Sequence, residues 1–338
     1  MRFSSAARSI VMLAATLACA LATPARGQIT PQRLYNGLDR PLPVRVELPA
    51  DGGAERVTLR FYGPPSPEAA DDSSYGTMIA EAQADPGEVD LASLLDNFWT
   101  LVNKRVTYVQ AFAGERPVGS PLVLQGMRTP ANARSAQNGV RFQIPPRRVF
   151  TGVRAYVDKL VRLETTEGAI DLRLRPDAAP NTAYNFRHLV EGGYYTDIIF
   201  HRIIGPSPAG DDGFVIQVGD PTGTGGGGPG YFIDLEQSTL SHDFGIVSMA
   251  RTSQPDTNGS QIFICLSRER TQGLDDRYAA FGEAVDGADT IMTIATVETG
   301  PRDRPQGTPP RIESARLIDA PALTERGPRV TMPETGGR

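Results

Sequence analysis

The pattern of apolar and polar positions divides the chain near its middle. In the first half, Leu42, Val44, Val46 and Leu48 alternate with polar neighbours, and Val57, Leu59 and Phe61 do so after the turn-prone Asp51-Gly52-Gly53. A period of two marks strands with one buried face. Val106, Tyr108 and Gln110 lead into a hairpin bend at Gly114-Glu115-Arg116-Pro117, and Leu122-Val123-Leu124 follows. One short helix is predicted from about Asp90, with Leu91, Leu94, Leu95 and Phe98 on one face and Trp99 just beyond it. Pro64-Pro65-Ser66-Pro67 through Asp71-Asp72-Ser73-Ser74 reads as an exposed loop. Short strands at this spacing predict a β-sandwich-like module over residues 28–130. Residues 131–155 read as a linker with one strand-like patch at Val140-Arg141-Phe142.

The second half is patterned differently. Val161, Leu163 and Thr165 turn at Glu167-Gly168 and return through Ile170, Leu172 and Leu174, an alternating hairpin. From Pro180 a helix is predicted, with Asn181 or Thr182 as its cap, Phe186, Leu189 and Val190 as its buried stripe and Gly192-Gly193 as its stop. Phe214, Ile216 and Val218 then fall on one side of a strand, and Val215, Gln217 and Gly219 on the other. Phe232-Ile233-Asp234-Leu235 reads as a further strand, Ala288 to Ala295 as a second helix and Arg311 to Ile318 as a closing strand. Residues 321–338 read as a disordered tail.

Composition bounds the picture. The 338 residues suit two domains, and 40% hydrophobic with 22% charged residues is the balance of a soluble globular chain. A formal net charge of −5 offers no nucleic-acid surface. Arg2 and Arg8 precede the apolar run Ile10 to Ala22, which is short for a bilayer, and Ala25-Arg26-Gly27 follows as a cleavage triplet. Residues 1–27 therefore read as an export signal, placing the protein in the periplasm or outside the cell. A lipid anchor on Cys19 is the lesser reading, because Thr16 stands where such signals prefer a larger aliphatic residue. No later segment reaches membrane-spanning length. Loss of Cys19 would leave Cys265 as the only cysteine, a small core side chain with no disulfide partner. The first module holds neither histidine nor cysteine before residue 130, so a scaffold or envelope-partner role suits it better than catalysis.

Two motifs invite chemistry and lose it on inspection. Gly223-Thr224-Gly225-Gly226-Gly227-Gly228 matches G-x-G-x-x-G, but nucleotide binding needs a helix next, and Pro229-Gly230-Tyr231 follows instead. The three histidines, His188, His201 and His242, repeat no metal spacing. No cofactor or metal is implied. What stands out is a cation, Arg202, and an amide, Gln217, set among large apolar groups, since a buried guanidinium without partners is costly.

Phe200-His201-Arg202-Ile203-Ile204, then Phe214-Val215-Ile216-Gln217-Val218-Gly219-Asp220, then Asn258-Gly259-Ser260-Gln261-Ile262-Phe263-Ile264-Cys265 resembles the signature of cyclophilin-type peptidyl-prolyl cis/trans isomerases, over residues 156–320. The resemblance implies a mainly β fold: a closed eight-stranded antiparallel barrel with a helix over each end. It implies isomerisation of exposed X-Pro bonds in unfolded or flexible polypeptides, without cofactor. By the same resemblance Arg202 is the catalytic donor, and Gln217 orients it and contacts the substrate backbone. Phe214, Val215, Phe263 and Leu274 line the proline pocket with Tyr278 on its rim. The main chain at Ala250 and Arg251 pairs with the residue before proline, and Thr224-Gly225 borders the neighbouring groove. Asn258-Gly259-Ser260 also fits a glycosylation acceptor, a reading set aside because it lies inside the family motif. Val215 stands where the family has methionine, Gly273 where many members have tryptophan and Tyr278 where they have histidine, which implies weak sensitivity to the cyclic immunosuppressive peptide. The segment 205–213 is longer than typical. With the missing tryptophan, it leaves a non-catalytic proline-peptide binding module as the alternative.

Overall fold

The protein is described by a computed structural model covering residues 27–49, 56–65, 76–137, 139–207 and 210–333. The expected export signal lies outside these residues. Among them no helix is long and apolar enough to cross a membrane.

The first module is built on two sheets. β1 (Gln28–Pro31), β3 (Pro43–Glu47) and β6 (Gly87–Asp90) form one. The other runs in the order β2 (Tyr35–Gly37), β11 (Phe150–Val157), β8 (Arg116–Arg128), β7 (Thr107–Ala113), β4 (Val57–Tyr62), β5 (Met78–Ala84). The alternating residues do what their period dictates: Val44 and Val46 share one core with Val57, Leu59 and Phe61. The helix expected from Asp90 is split. Leu91–Ser93 is one 3-10 turn, which Asp90 caps through the Ala92 N–H, and α1 covers Phe98–Lys104 with Trp99 inside it.

The linker expected over 131–155 is structured. β9 (Asn132–Ala136) and β10 (Gly139–Gln143) pair as a hairpin of their own, and β11 supplies an inner strand of the six-stranded sheet. On β11 the Arg154 guanidinium lies 3.9 Å over the ring of Tyr184.

The second module is a nine-stranded sheet in the order β14 (Ile198–Ile199), β20 (Arg311–Asp319), β12 (Lys159–Thr165), β13 (Gly168–Leu174), β19 (Ala280–Asp286), β17 (Ile246–Met249), β18 (Ile262–Cys265), β16 (Val215–Val218), β15 (Arg202–Ile204). This corrects the closed eight-stranded barrel. The sheet curls but no ladder joins its ends, because one segment serves both: β14 pairs with β20, and after Phe200 and His201 the same chain pairs with β16 as β15. The Phe200 N–H goes instead to the Pro310 carbonyl, 2.8 Å away. Phe232–Leu235 is not a strand either; it makes a single bridge, Ile233 to Asn258, and leaves Phe232 exposed.

Two helices pack on the core of this sheet. α2 (Pro180–Glu191) buries Phe186, Leu189 and Val190, and α4 (Ala288–Ala295) buries Ile291 and Ile294; a one-turn α3 (Arg268–Thr271) lies between them in the chain. The N-cap of α2 is Ala179, with Pro180 at the first position, where its missing N–H costs nothing. The capping expected of Asn181 or Thr182 is done by a distant carboxylate: Glu236 accepts from the N–H groups of both residues and from their side chains. α2 stops where Gly193, at φ 76°, lets its own N–H reach Val190 O and that of Tyr194 reach Leu189 O.

The tail expected to be disordered over 321–338 is packed as far as it is described. Leu323 is buried among Tyr62, Tyr108, Phe112 and Tyr156 of the first module, with Tyr184 of α2 against the same cluster. The Leu323 N–H donates to Gln110 Oε1 (3.1 Å), Ser120 Oγ donates to the Ala320 carbonyl (2.7 Å), and Arg326 pairs with Asp158. The tail thus clamps the two modules together.

Candidate active site

The site begins as one rung across three strands. Register places Arg202 of β15 opposite Gln217 of β16, and Gln217 opposite Phe263 of β18. Alternation then sorts the neighbours. Ile203, Ile216, Val218, Ile262 and Ile264 enter the main core, while Val215, Phe263 and Cys265 enter a smaller cluster on the other face. Phe214 precedes the strand, so it joins the Val215 face rather than that of Ile216 and Val218.

A cavity of about 430 Å³ opens on that smaller cluster. Every residue singled out from the sequence reaches it: Arg202 and Gln217; the apolar Phe214, Val215, Phe263 and Leu274; Tyr278; Ala250 and Arg251; and Thr224. Phe263 is held edge-on to Tyr278 (5.7 Å between ring centres) and flat on His242 (6.0 Å). His242 is fully buried, with Nδ1 2.9 Å from Asp275 Oδ1 and Nε2 3.0 Å from Ser248 Oγ. Burial lowers its imidazole from the ordinary value, although Asp275 opposes this. His242 thus packs behind the pocket wall, bridging Asp275 and Ser248.

The orientation of Arg202 departs from expectation. Its side chain is 42% exposed, and its Nε donates to Asp303 Oδ2 at 3.1 Å. No side-chain bond joins it to Gln217, whose Nε2 donates instead to Gln261 Oε1 at 3.0 Å. Gln261 in turn donates to the Gly225 and Gly227 carbonyls. Arg202 lines the cavity, and beyond its Nε bond its two Nη groups have no protein acceptor among the described residues.

Asp303 and Gln261 are the functional candidates that residue reading missed. Gln261 stands within the quoted motif, but nothing in its spacing shows which amide it meets. Asp303 lies 101 residues from Arg202, in a turn where Arg302 (φ 65°) and Asp303 (φ 60°) both adopt left-handed backbone. The only hint in the chain is the charged run Arg302-Asp303-Arg304 between prolines.

The glycine-rich loop is organised around the Asp220 carboxylate. Burial pushes the Asp220 carboxyl up, but hydrogen bonds from the Gly227, Thr222 and Gly225 N–H groups and the Thr222 hydroxyl outweigh it and hold it well below the usual range. A Cβ on Gly227 would fall 2.0 Å from Asp220 Oδ1, so only glycine fits. Among the described residues no His, Cys, Asp and Glu group is arranged to hold a metal ion.

The curled β-domain thus lines one cavity with a guanidinium and a set of apolar side chains. Comparison with known proteins gives the family: residues 160–317 match the family model for cyclophilin type peptidyl-prolyl cis-trans isomerase/CLD. Over 168 residues the chain is 39% identical to "Peptidyl-prolyl cis-trans isomerase-like 1" of Gibberella zeae, covering 48% of this chain and 94% of that one. It is 41% identical over 150 residues to "Peptidyl-prolyl cis-trans isomerase-like 2" of Rhizopus delemar, covering 43% of this chain and only 26% of that longer one. Among solved structures, a cyclophilin type peptidyl-prolyl cis-trans isomerase of Cryptosporidium parvum, crystallised with the dipeptide Ala-Pro, aligns with a TM-score of 0.43 at 34% identity, covering 47% of this chain and 98% of that one. The chain belongs to the cyclophilin-type peptidyl-prolyl cis-trans isomerase family, and its first module is an addition to that domain.

Proposed function

We propose that this chain accelerates cis/trans isomerisation of exposed X-Pro bonds in unfolded or flexible polypeptides outside the cytoplasm. The barrier is about 18–20 kcal/mol because rotation breaks amide resonance. No bond is made or broken, so catalysis reduces to binding the twisted amide more tightly than either planar form. As the amide twists, the proline nitrogen pyramidalises and gains a lone pair. Arg202 donates to that lone pair from an Nη group, while Phe214, Val215, Phe263 and Leu274 hold the ring and Tyr278 borders it. The single observation that carries this reading is the half-used guanidinium: Arg202 lines the same cavity as the apolar side chains, Asp303 engages its Nε, and its Nη groups have no protein acceptor among the described residues.

Substrate pairing follows from what is still available. The Ala250 N–H is spent on the Gln261 carbonyl at 2.8 Å, so the residue before proline pairs with the Ala250 carbonyl and the Arg251 N–H. Gln217 acts on the substrate backbone and on Gln261 rather than on Arg202, and Thr224 borders the adjacent groove. The location outside the cytoplasm is supported by the Arg2, Arg8 and Ile10 to Ala22 pattern. The test is two-dimensional exchange NMR of a short Ala-Pro peptide with catalytic amounts of the full chain. Cross-peaks between cis and trans resonances on a subsecond timescale are expected; binding shifts without exchange would leave only a proline-peptide receptor.

A further inference from the structure

The hairpin β9–β10 comes from outside the matched residues 160–317, yet it is docked on the catalytic domain. Ala133 is buried in that domain's core, with Val140 and Phe142 packed on the same cluster. Neither strand pairs with either of the larger sheets. Ser135 Oγ lies 3.5 Å from the Ser253 carbonyl, which sets the hairpin beside the loop that follows Ala250 and Arg251.

Between hairpin and domain lies a second cavity of about 360 Å³, with Ser135, Ala136, Gly139 and Val140 on the hairpin side. Arg251, Leu274 and Tyr278 line this cavity and the catalytic one alike. The partition they form is held in place: the Arg251 guanidinium lies 4.6 Å over the Tyr278 ring and donates to the carbonyls of Arg277 and Thr252. Gly273 leaves a notch in the same wall, because a Cβ there would meet nothing within 4 Å. A peptide seated in the first cavity can therefore run over Arg251 and Tyr278 into the second.

The chemistry of the second cavity is one-sided. Arg251 and Arg277 line it, and no aspartate or glutamate does. The bonds shown for Arg251 go to main-chain carbonyls, and among the described residues it has no carboxylate partner.

We propose that the hairpin and this rim form an added subsite that selects an acidic side chain two or three residues from the target proline. The distance follows from crossing one rim side chain at about 3.3 Å per extended residue. This rests on the isomerase reading for the seat of the proline, and the experiment separates the two. Peptides of about nine residues around one Ala-Pro, carrying Glu or Lys at each position from three before to three after the proline, are titrated by fluorescence anisotropy against the full chain and against Ser135→Glu. Ser135 is exposed and does not line Arg202's cavity, so the variant is expected to fold and to keep its activity on a four-residue peptide too short to cross the shared rim. At one side of the proline, Glu is expected to bind about fivefold more tightly than Lys, the size of one half-exposed ion pair, and Ser135→Glu is expected to erase or reverse that ratio. Equal affinities at every position, no detectable binding, or a ratio unchanged in Ser135→Glu overturns the subsite. The same samples are scored for cis/trans exchange: a retained Glu preference without exchange removes the isomerase and leaves the subsite standing.

Discussion

At the scale of the residue, two carboxylates decide how two sets of arginines can be used. Glu283 accepts from Arg173 Nε at 2.8 Å and Arg175 Nη1 at 3.2 Å, and Arg175 also pairs with Asp177 at 2.8 Å, all four side chains being nearly sealed from water. Breaking a sealed network leaves uncompensated charge, so Glu283→Gln is expected to cost about 3–5 kcal/mol in urea unfolding; a cost below about 1 kcal/mol would mean that water reaches the network. Asp303 acts on the exposed arginine of the site. Asp303→Asn keeps a residue that tolerates the left-handed backbone but removes the charge holding Arg202 Nε. It is expected to lower kcat/KM about tenfold, the equivalent of about 1.4 kcal/mol, mainly through kcat. An unchanged kcat would show that Arg202 is positioned without it. Arg202, Phe214, Val215, Gln217 and Phe263 were legible because three contiguous motifs carry them. Asp303 was not, because a partner 101 residues away leaves no local pattern.

At the scale of the element, strand alternation was readable wherever one face is buried, as in β12 and β13, with Thr165 set opposite Gly168 as the turn predicts. It failed at strand ends. Phe214 continues the apolar alternation on paper, but pairing begins at Val215, and a residue outside the ladder is free to face the cavity. The cap of α2 was missed for a related reason, since Glu236 reaches it from 54 residues away. The glycine-rich loop links an element to the site through Asp220, Gly225 and Gln261. Asp220→Asn is expected to destabilise the fold by about 1–2 kcal/mol and to lower activity through Gln261. Because the folded carboxyl lies below its unfolded value of 3.8, its stabilisation is present above that pH and is lost as the pH falls through the folded value. The stability gap between wild type and variant, followed by denaturation at pH 7, 4 and 3, should therefore be full at 7 and shrink progressively below 4. A gap independent of pH would contradict the role given to the charge.

At the scale of the whole molecule, the mainly β character was visible in the sequence, but the packing of the C-terminal residues was not. A polar, proline-punctuated tail resembles disorder until the aromatic cleft that receives Leu323 is assembled from strands and α2 of both modules, and Gln110 is 213 residues from its partner. Ending the chain at Asp319 uncovers that cleft and leaves Asp158 without Arg326. It should lower Tm by roughly 5–10 °C, as the loss of a few kcal/mol does in a chain of this size; an unchanged Tm would show that the clamp contributes nothing. Within the family domain, one guanidinium and one apolar cup share a single cavity. The most direct test compares exchange of an Ala-Pro peptide catalysed by the full-length wild type, Arg202→Lys and Arg202→Ala at equal fold stability. Loss of the donor is expected to reduce kcat/KM about 100-fold or more in Arg202→Ala, with Arg202→Lys, which keeps the charge but not the planar pair of donors, recovering only part. Rates within twofold of wild type in both variants would contradict the account.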